Sequence, residues 1–397
     1  MSGHSDPYSS SASATDLLGF DPFDPEFLRD PYSHYREMRQ QGALLRTRGG
    51  LLVATTYEHC STLLRHPAFG HDSNPLRTAD PEQRVPSFLR MDPPDHTRLR
   101  GLVSRAFTPR MIERLRPRIE AITAELITAL PEEGDLVSGF AYPLPVMVIT
   151  EMLGVPAEDH ERFQAWSEAL ARGLDPLLST ELMSESERAR LEFGDYFRGL
   201  IKERRSRPGD DLLSALARVE ELTEAELLAT CVLLLVAGHE TTVNLIANGV
   251  LALLRHGALP LAAEHPREVV EEVLRYDPPV QLTLRSALRD TELGGTPTPA
   301  GTPVLALIGA ANRDPAEYAA PDRFDPTRGP GRHLAFGLGI HFCLGATLAR
   351  LEGEIALRAL ARAAPKLELV DPDPPYKANL VLRGLASLPV RALSVRA

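Results

Sequence analysis

The stretch Phe336-Gly337-Leu338-Gly339-Ile340-His341-Phe342-Cys343-Leu344-Gly345 decides how this chain is read. It sets one cysteine behind a glycine-rich turn and directly ahead of a strongly helix-forming run, Ala346-Thr347-Leu348-Ala349-Arg350-Leu351-Glu352. Free N–H groups and the helix dipole at such a position stabilise a thiolate, so the sulfur can stay deprotonated as a metal ligand. The glycines allow dihedrals that other residues avoid and let backbone lie close to a flat group. A single axial thiolate is how haem iron is held when its task is to split an O–O bond. The competing reading of Cys343 is a buried, inert thiol, the ordinary fate of an isolated cysteine.

Composition narrows the field around that loop. The 397 residues carry 43 Lys and Arg against 54 Asp and Glu, a net charge of −11, which argues against a nucleic-acid binder. Three scattered cysteines, Cys60, Cys231 and Cys343, make no disulfide framework and fit a reducing cytoplasm. Residues 1–16 are rich in Ser, Gly, Ala and His and resemble neither a signal peptide nor a membrane anchor, so they are expected to form a disordered arm. The rest, 17–397, is expected to be a single catalytic domain. The longest apolar run, 227–238, is short for a bilayer span and ends at His239 and Glu240.

Periodicity then orders the elements. Helix is expected over 30–41, 57–65, 94–106, 109–130, 144–153, 157–173 and 185–206. A hairpin is expected where 43–46 and 51–55 flank Arg48-Gly49-Gly50, and a charged loop at 75–86. Thr223 and Glu226 form a capping-box signature that opens a helix running to Arg255, apolar enough to pass through the core. Residues 278–307, 366–370 and 380–388 read as short strands. The fold class is therefore mainly α with small β-sheets.

Two further constellations stand out. Ala237-Gly238-His239-Glu240-Thr241-Thr242 places an acid and an alcohol mid-helix in apolar surroundings, where burying them unpaired is costly. Either they do chemistry, or Thr241 bonds back one turn and Glu240 pairs with a basic neighbour. Gly238 favours function, since a mid-helix glycine costs about 1 kcal/mol and opens room for a ligand. Glu272 and Arg275 sit three apart on one helical face, where they can pair.

The pattern Phe-Gly-x-Gly-x-His-x-Cys-x-Gly, the segment 237–242 and the Glu272-x-x-Arg275 pair, in that family's order, resemble the cytochromes P-450. The resemblance runs from about residue 30 to the C-terminus and is nearest to bacterial members acting on polyketides, sterol-like molecules or fatty acyl chains. It implies the P-450 fold, with haem b (iron protoporphyrin IX) between the long oxygen-binding helix and the cysteine helix, and Cys343 as the iron ligand. Phe336, Gly337 and Gly345 belong to the ligand loop. His96, Arg100, Arg285 and His333, with His341 as a fifth, are implied partners of the haem propionates, for which Arg is suited by its planar fork. Thr241 is implied to bond the oxygen being activated and order water, and Glu240 to feed protons from solvent. Glu272 and Arg275 are implied to brace the scaffold behind the haem.

That resemblance implies a monooxygenase that inserts one atom of O2 into an apolar small-molecule substrate, by hydroxylation or epoxidation of a natural product. The alternatives are a haem-thiolate enzyme of C–C cleavage or oxidative coupling, and a non-catalytic haem protein that only binds a ligand. Electrons are expected from a ferredoxin or flavodoxin-type donor with its reductase, because no flavin or nicotinamide motif is present. No nucleic acid, no membrane anchor and a cytoplasmic location are expected. His239 and His341 lack the companions a zinc site needs, and without Cys-x-x-Cys-His the haem is not covalently attached. Substrate contacts are expected from Val236, Ala237, Val280, Leu282, Thr283 and Leu382, within walls at 75–88, 166–178, 236–241, 280–284 and 382–385. Arg77, Arg84 and Arg90 are read as solvated charges that could meet a substrate carboxylate. Pro260 and Pro266 are expected to interrupt the helix of that region.

Overall fold

Asp-Pro pairs, Thr caps and apolar residues at helical spacing set the elements of the computed structural model, which describes residues 15, 18–71, 87–172, 180–329 and 331–391. The expected arm at 1–16 (residue 15 apart), the loop at 75–86 with Arg77 and Arg84, and residues 173–178 of one expected pocket wall lie outside the described residues.

Helices α1 (Pro25–Arg29) and α2 (Pro31–Gln41) each start at an Asp-Pro step whose Asp side chain accepts a first-turn N–H. Strands β1 (Leu44–Arg46) and β2 (Leu52–Ala54) form the expected hairpin. Helix α3 (Tyr57–Arg65) leads to β3 (Phe69–Gly70). Then follow α4 (Asp95–Ala106), α5 (Pro109–Ala129), β4 (Glu133–Asp135), α6 (Pro143–Met152), α7 (His160–Arg172), α8 (Thr180–Ser206) and α9 (Leu212–Ala217).

Helix α10 (Glu224–Arg255) opens with the expected capping box, Thr223 and Glu226 satisfying each other's backbone N–H. Its 32 residues extend about 48 Å at 1.5 Å per residue. Residues on every side of it are buried between Glu226 and Leu253, so it forms the axis of the main apolar core. By length and composition it could cross a membrane, longer than the 227–238 run alone suggested, yet 72% of its most apolar window is buried inside the fold. Pro260 and Pro266 divide the next stretch into α11 (Leu259–Glu264) and α12 (Pro266–Tyr276), each with its proline in the first turn.

Strands β5 (Leu282–Ala287), β6 (Thr291–Leu293), β7 (Thr296–Thr298) and β8 (Pro303–Leu307) come next, with a short α13 (Ile308–Ala311). The chain ends in α14 (Ala346–Ala363), β9 (Glu368–Leu369) and β10 (Pro389–Arg391). Three sheets result, ordered β1-β2-β8-β5-β3, β4-β10-β9 and β6-β7, with β2 and β8 the parallel pair. The expected strand at 380–388 does not form. That segment makes only isolated bridges, Val280 to Leu382 and Tyr376 to Leu385, because Asn379, Arg383 and Gly384 turn its backbone toward other partners. Helix α8 begins five residues before the expected 185, and α1 and α9 were not expected from periodicity.

Glu272 and Arg275 pair within α12, each under 5% exposed. Arg275 bonds both carboxylate oxygens at 2.8 Å and donates to the carbonyls of Asn312, Pro321 and Arg323. Glu272 also accepts from the Asp325 N–H and from Arg328. The pair thus ties α12 to the irregular chain that precedes the cysteine loop.

Candidate active site

The cysteine loop is closed by its own backbone: Cys343 N–H donates to the Phe336 carbonyl at 2.9 Å, and Gly337 N–H to Leu334 at 2.8 Å. Gly339 has φ +68°, and a Cβ there would lie 2.7 Å from the Leu64 carbonyl oxygen, so only glycine lets the loop rest on the end of α3. Gly345 is the N-cap of α14. Burial pushes the Cys343 thiol up, and the N–H groups of Gly345 and Ala346, with Arg100 and Arg350, only partly offset it. A bound metal cation would add the charge that favours the thiolate. Cys60 and Cys231 are fully buried thiols, also pushed up by burial.

Near the cysteine loop gathers a set of basic side chains from three segments. His96 and Arg100 lie one turn apart on α4, and Arg100 donates to the Phe342 carbonyl. Arg285 on β5 is 7% exposed and donates to Thr283 Oγ1 at 3.0 Å and to the Leu284 carbonyl at 2.8 Å. The His341 ring stands 4.4 Å from that of His96, centroid to centroid. Burial lowers Arg285 to about 10. Burial first, then Arg285, His96 and Arg100, lowers His341 to about 3. Both ring nitrogens of His96 and Nε2 of His341 are buried with no hydrogen-bond partner among the described residues.

His333 is not in this set. Its Nε2 lies 3.2 Å from Glu271, whose carboxylate also takes Arg350, and the buried ring packs beside Phe336. Against the cost of burial, the bonds from His333 and Arg350 hold Glu271 down at about 2. The acid on α12 had no visible link to His333 in sequence, which is why a propionate role was expected instead.

On α10, both local contacts weighed from sequence are present. Thr241 donates to the Ala237 carbonyl at 2.8 Å, and Glu240 Oε1 lies 2.6 Å from Lys377 Nζ. Burial would raise Glu240, but His239 and Lys377 outweigh it and hold the carboxyl at about 2. Lys377 was missed from sequence, since nothing in 376–379 marks it as a partner of α10. Asn244, one turn beyond Glu240, presses its amide against Gly384 and finds no partner among the described residues. Ala237 is exposed and Gly238 and Thr241 half-exposed midway along a helix that is otherwise buried there. That exposure leaves room beside Ala237 and Thr241 on a stretch whose His239 and Glu240 are buried.

The expected substrate contacts divide. Val236 and Ala237 lie on this part of α10, and Val280 bridges Leu382. Thr283 shares the Arg285 face of β5. Leu282 does not belong here: strand alternation turns it to the opposite face, into a separate cluster with Phe27, Tyr35 and Leu307. Arg90 is exposed on a short 3₁₀ turn.

A cysteine near two guanidiniums and two imidazoles with orphaned ring nitrogens suits a flat cofactor bearing two acid groups and a thiolate-bound metal. No group of three or more His, Cys, Asp or Glu side chains suited to hold a metal ion by themselves occurs among the described residues. Fold and site together define a haem-thiolate protein. The family model Cytochrome P450 matches residues 266–382. The monooxygenase PikC of Streptomyces venezuelae is 41% identical, over 92% of each chain. The 6-deoxyerythronolide B hydroxylase of Saccharopolyspora erythraea is 44% identical, over 77% of this chain and 80% of its own. The ligand-free structure of Mycobacterium smegmatis CYP164A2 superposes with a TM-score of 0.88 at 47% identity, covering 95% of this chain and all of that one. This chain belongs to the cytochrome P450 family. It is a monooxygenase that uses a haem-thiolate cofactor, O2 and an external redox partner on an organic substrate.

Proposed function

We propose that this single catalytic domain, 17–397, hydroxylates or epoxidises an apolar natural product, holding haem b through Cys343. The observation that carries this reading is the meeting of Cys343 with His96, Arg100, Arg285 and His341 from three separate segments. Two guanidiniums and two imidazoles are suited to the two propionates, and the fixed fork of Arg285 favours a bidentate bond. The loop glycines Gly337 and Gly345 leave backbone close to the sulfur, and Phe336 stacks under Arg350 at 4.5 Å. When bound, the haem supplies the redox chemistry that activates O2.

Thr241 spends its hydroxyl proton on Ala237, so it offers lone pairs to a donor in the space beside it and can orient water there. Glu240 is next to it on the buried side and is tied to Lys377, whose side chain is 30% exposed. Glu240 therefore carries a proton inward only when Lys377 releases it. Val236, Ala237, Val280, Thr283 and Leu382 supply apolar walls, with Leu282 left to the core. The 6-deoxyerythronolide B hydroxylase and the polyketide biosynthesis cytochrome P450 PksS of Bacillus subtilis, 40% identical over 94% of this chain, make a polyketide-like substrate the leading class. A cytoplasmic ferredoxin or flavodoxin with its reductase is the fitting electron source.

Turnover under isotopically labelled O2, with a ferredoxin and reductase and a panel of macrolactones, tests the reading. One labelled oxygen per product supports it. Substrate-dependent consumption of reductant with no labelled product would overturn it.

A further inference from the structure

We propose that His71 is a further holding residue for the cofactor, donating from its imidazole to one haem propionate beside His96, His341, Arg100 and Arg285. This rests on the haem-thiolate reading above. Strands β3 and β5 pair antiparallel with Phe69 opposite Ala287 and Gly70 opposite Ser286. One step further, that register sets His71 opposite Arg285. Residues directly opposed across an antiparallel pair project their side chains to the same face. The register therefore delivers an imidazole to the Arg285 side of the sheet.

The ring contacts agree. His71 meets His341 edge to face, with centroids 4.8 Å apart at 85°, and His341 in turn lies against His96. Three imidazoles from three segments form one contiguous row. The backbone beneath His71 is anchored, since its N–H donates to Asp92 Oδ2 at 2.7 Å. That carboxylate occupies the space a side chain on residue 70 would need, as a Cβ on Gly70 would come within 2.3 Å of Asp92 Oδ1.

Packing alone does not account for the row. Phenylalanine would fill the same volume without the orphaned ring nitrogens that His96 and His341 bury. Asp92 acts on this cluster, raising His96 and Arg285, and it also accepts from the His71 backbone N–H. The orphaned nitrogens of His96 and His341 and the two guanidiniums beside them suit acid groups brought by a ligand, and His71 stands in the same row.

The test compares wild-type holoenzyme with His71→Ala and His71→Gln. Haem transfer to excess apomyoglobin and the propionate-bending band in resonance Raman are measured. Loss of a hydrogen bond to a charged group predicts about tenfold faster haem release from His71→Ala and a shifted band. His71→Gln, which keeps a donor, should restore most of both. Release within twofold of wild type and an unmoved band in His71→Ala would overturn the proposal, as would a glutamine variant as leaky as the alanine one. The carbon monoxide spectrum separates the two readings: a thiolate-type band in wild type and variants leaves the haem-thiolate reading standing whatever His71 does. Its absence from wild type would sink both.

Discussion

Glu240 and Lys377 show how one contact changes what a motif residue can do. A carboxyl that His239 and Lys377 together hold at about 2 against burial is no proton source near neutral pH while both stay in place. Because its folded value lies below the ordinary 4.5, the pair stabilises the fold above about pH 4.5 and loses that effect as pH falls toward 2. Lys377→Met should therefore cost about 1–3 kcal/mol at pH 7, below the range for fully buried pairs because Lys377 is partly solvated. Denaturant titration should show that cost shrinking at pH 3; an equal cost at both pH values would contradict the account. Glu352 on α14 is the opposite case. It is 1% exposed, its Oε2 has no partner among the described residues, and burial raises it to about 8. The folded state keeps a proton that the unfolded chain gives up above about 4.5, so stability falls as pH rises between those values. Glu352→Gln should raise Tm by a few degrees at pH 8 and hardly at all at pH 4.5. A gain independent of pH would refute the assignment.

Among the elements, α12 has more consequence than its 11 residues suggest. It carries Arg275 into a site with both oxygens of Glu272 and three carbonyls, and it carries Glu271 to His333 and Arg350. Arg275→Ala leaves a buried carboxylate without its main partner, and should cost about 3–5 kcal/mol. A urea midpoint within 1 kcal/mol of wild type would contradict this (the remaining Arg328 contact would then suffice). Helices were the most legible elements, because their apolar spacing and caps are local: Thr223, Glu226 and the prolines at 109, 260 and 266 each mark a start. The segment 380–388 was misread because its apolar alternation is real, while its backbone bonds are taken by Pro279, Gln281 and Asn248 of α10, far away in sequence. Leu282 was misassigned for a related reason, since which face of a strand is inward depends on its neighbours.

At the scale of the molecule, the motifs carried the site and long-range packing completed it. Cys343, Thr241, Glu240, His96, Arg100, Arg285 and His341 were legible as candidates because they match positions of the family pattern the chain resembles. His71, Lys377 and the Glu271 partner of His333 were not, because each reaches the site through register or packing across many residues: 71 with 285, 377 with 240, 333 with 271. The account as a whole rests on Cys343 as the metal-binding sulfur. Its most direct test is the absorption spectrum of the reduced protein under carbon monoxide, recorded beside Cys343→Ser. A strongly red-shifted Soret band in the wild type, lost in the variant, is the predicted result. A histidine-type band in the wild type, or a red-shifted band that survives the substitution, would contradict the account.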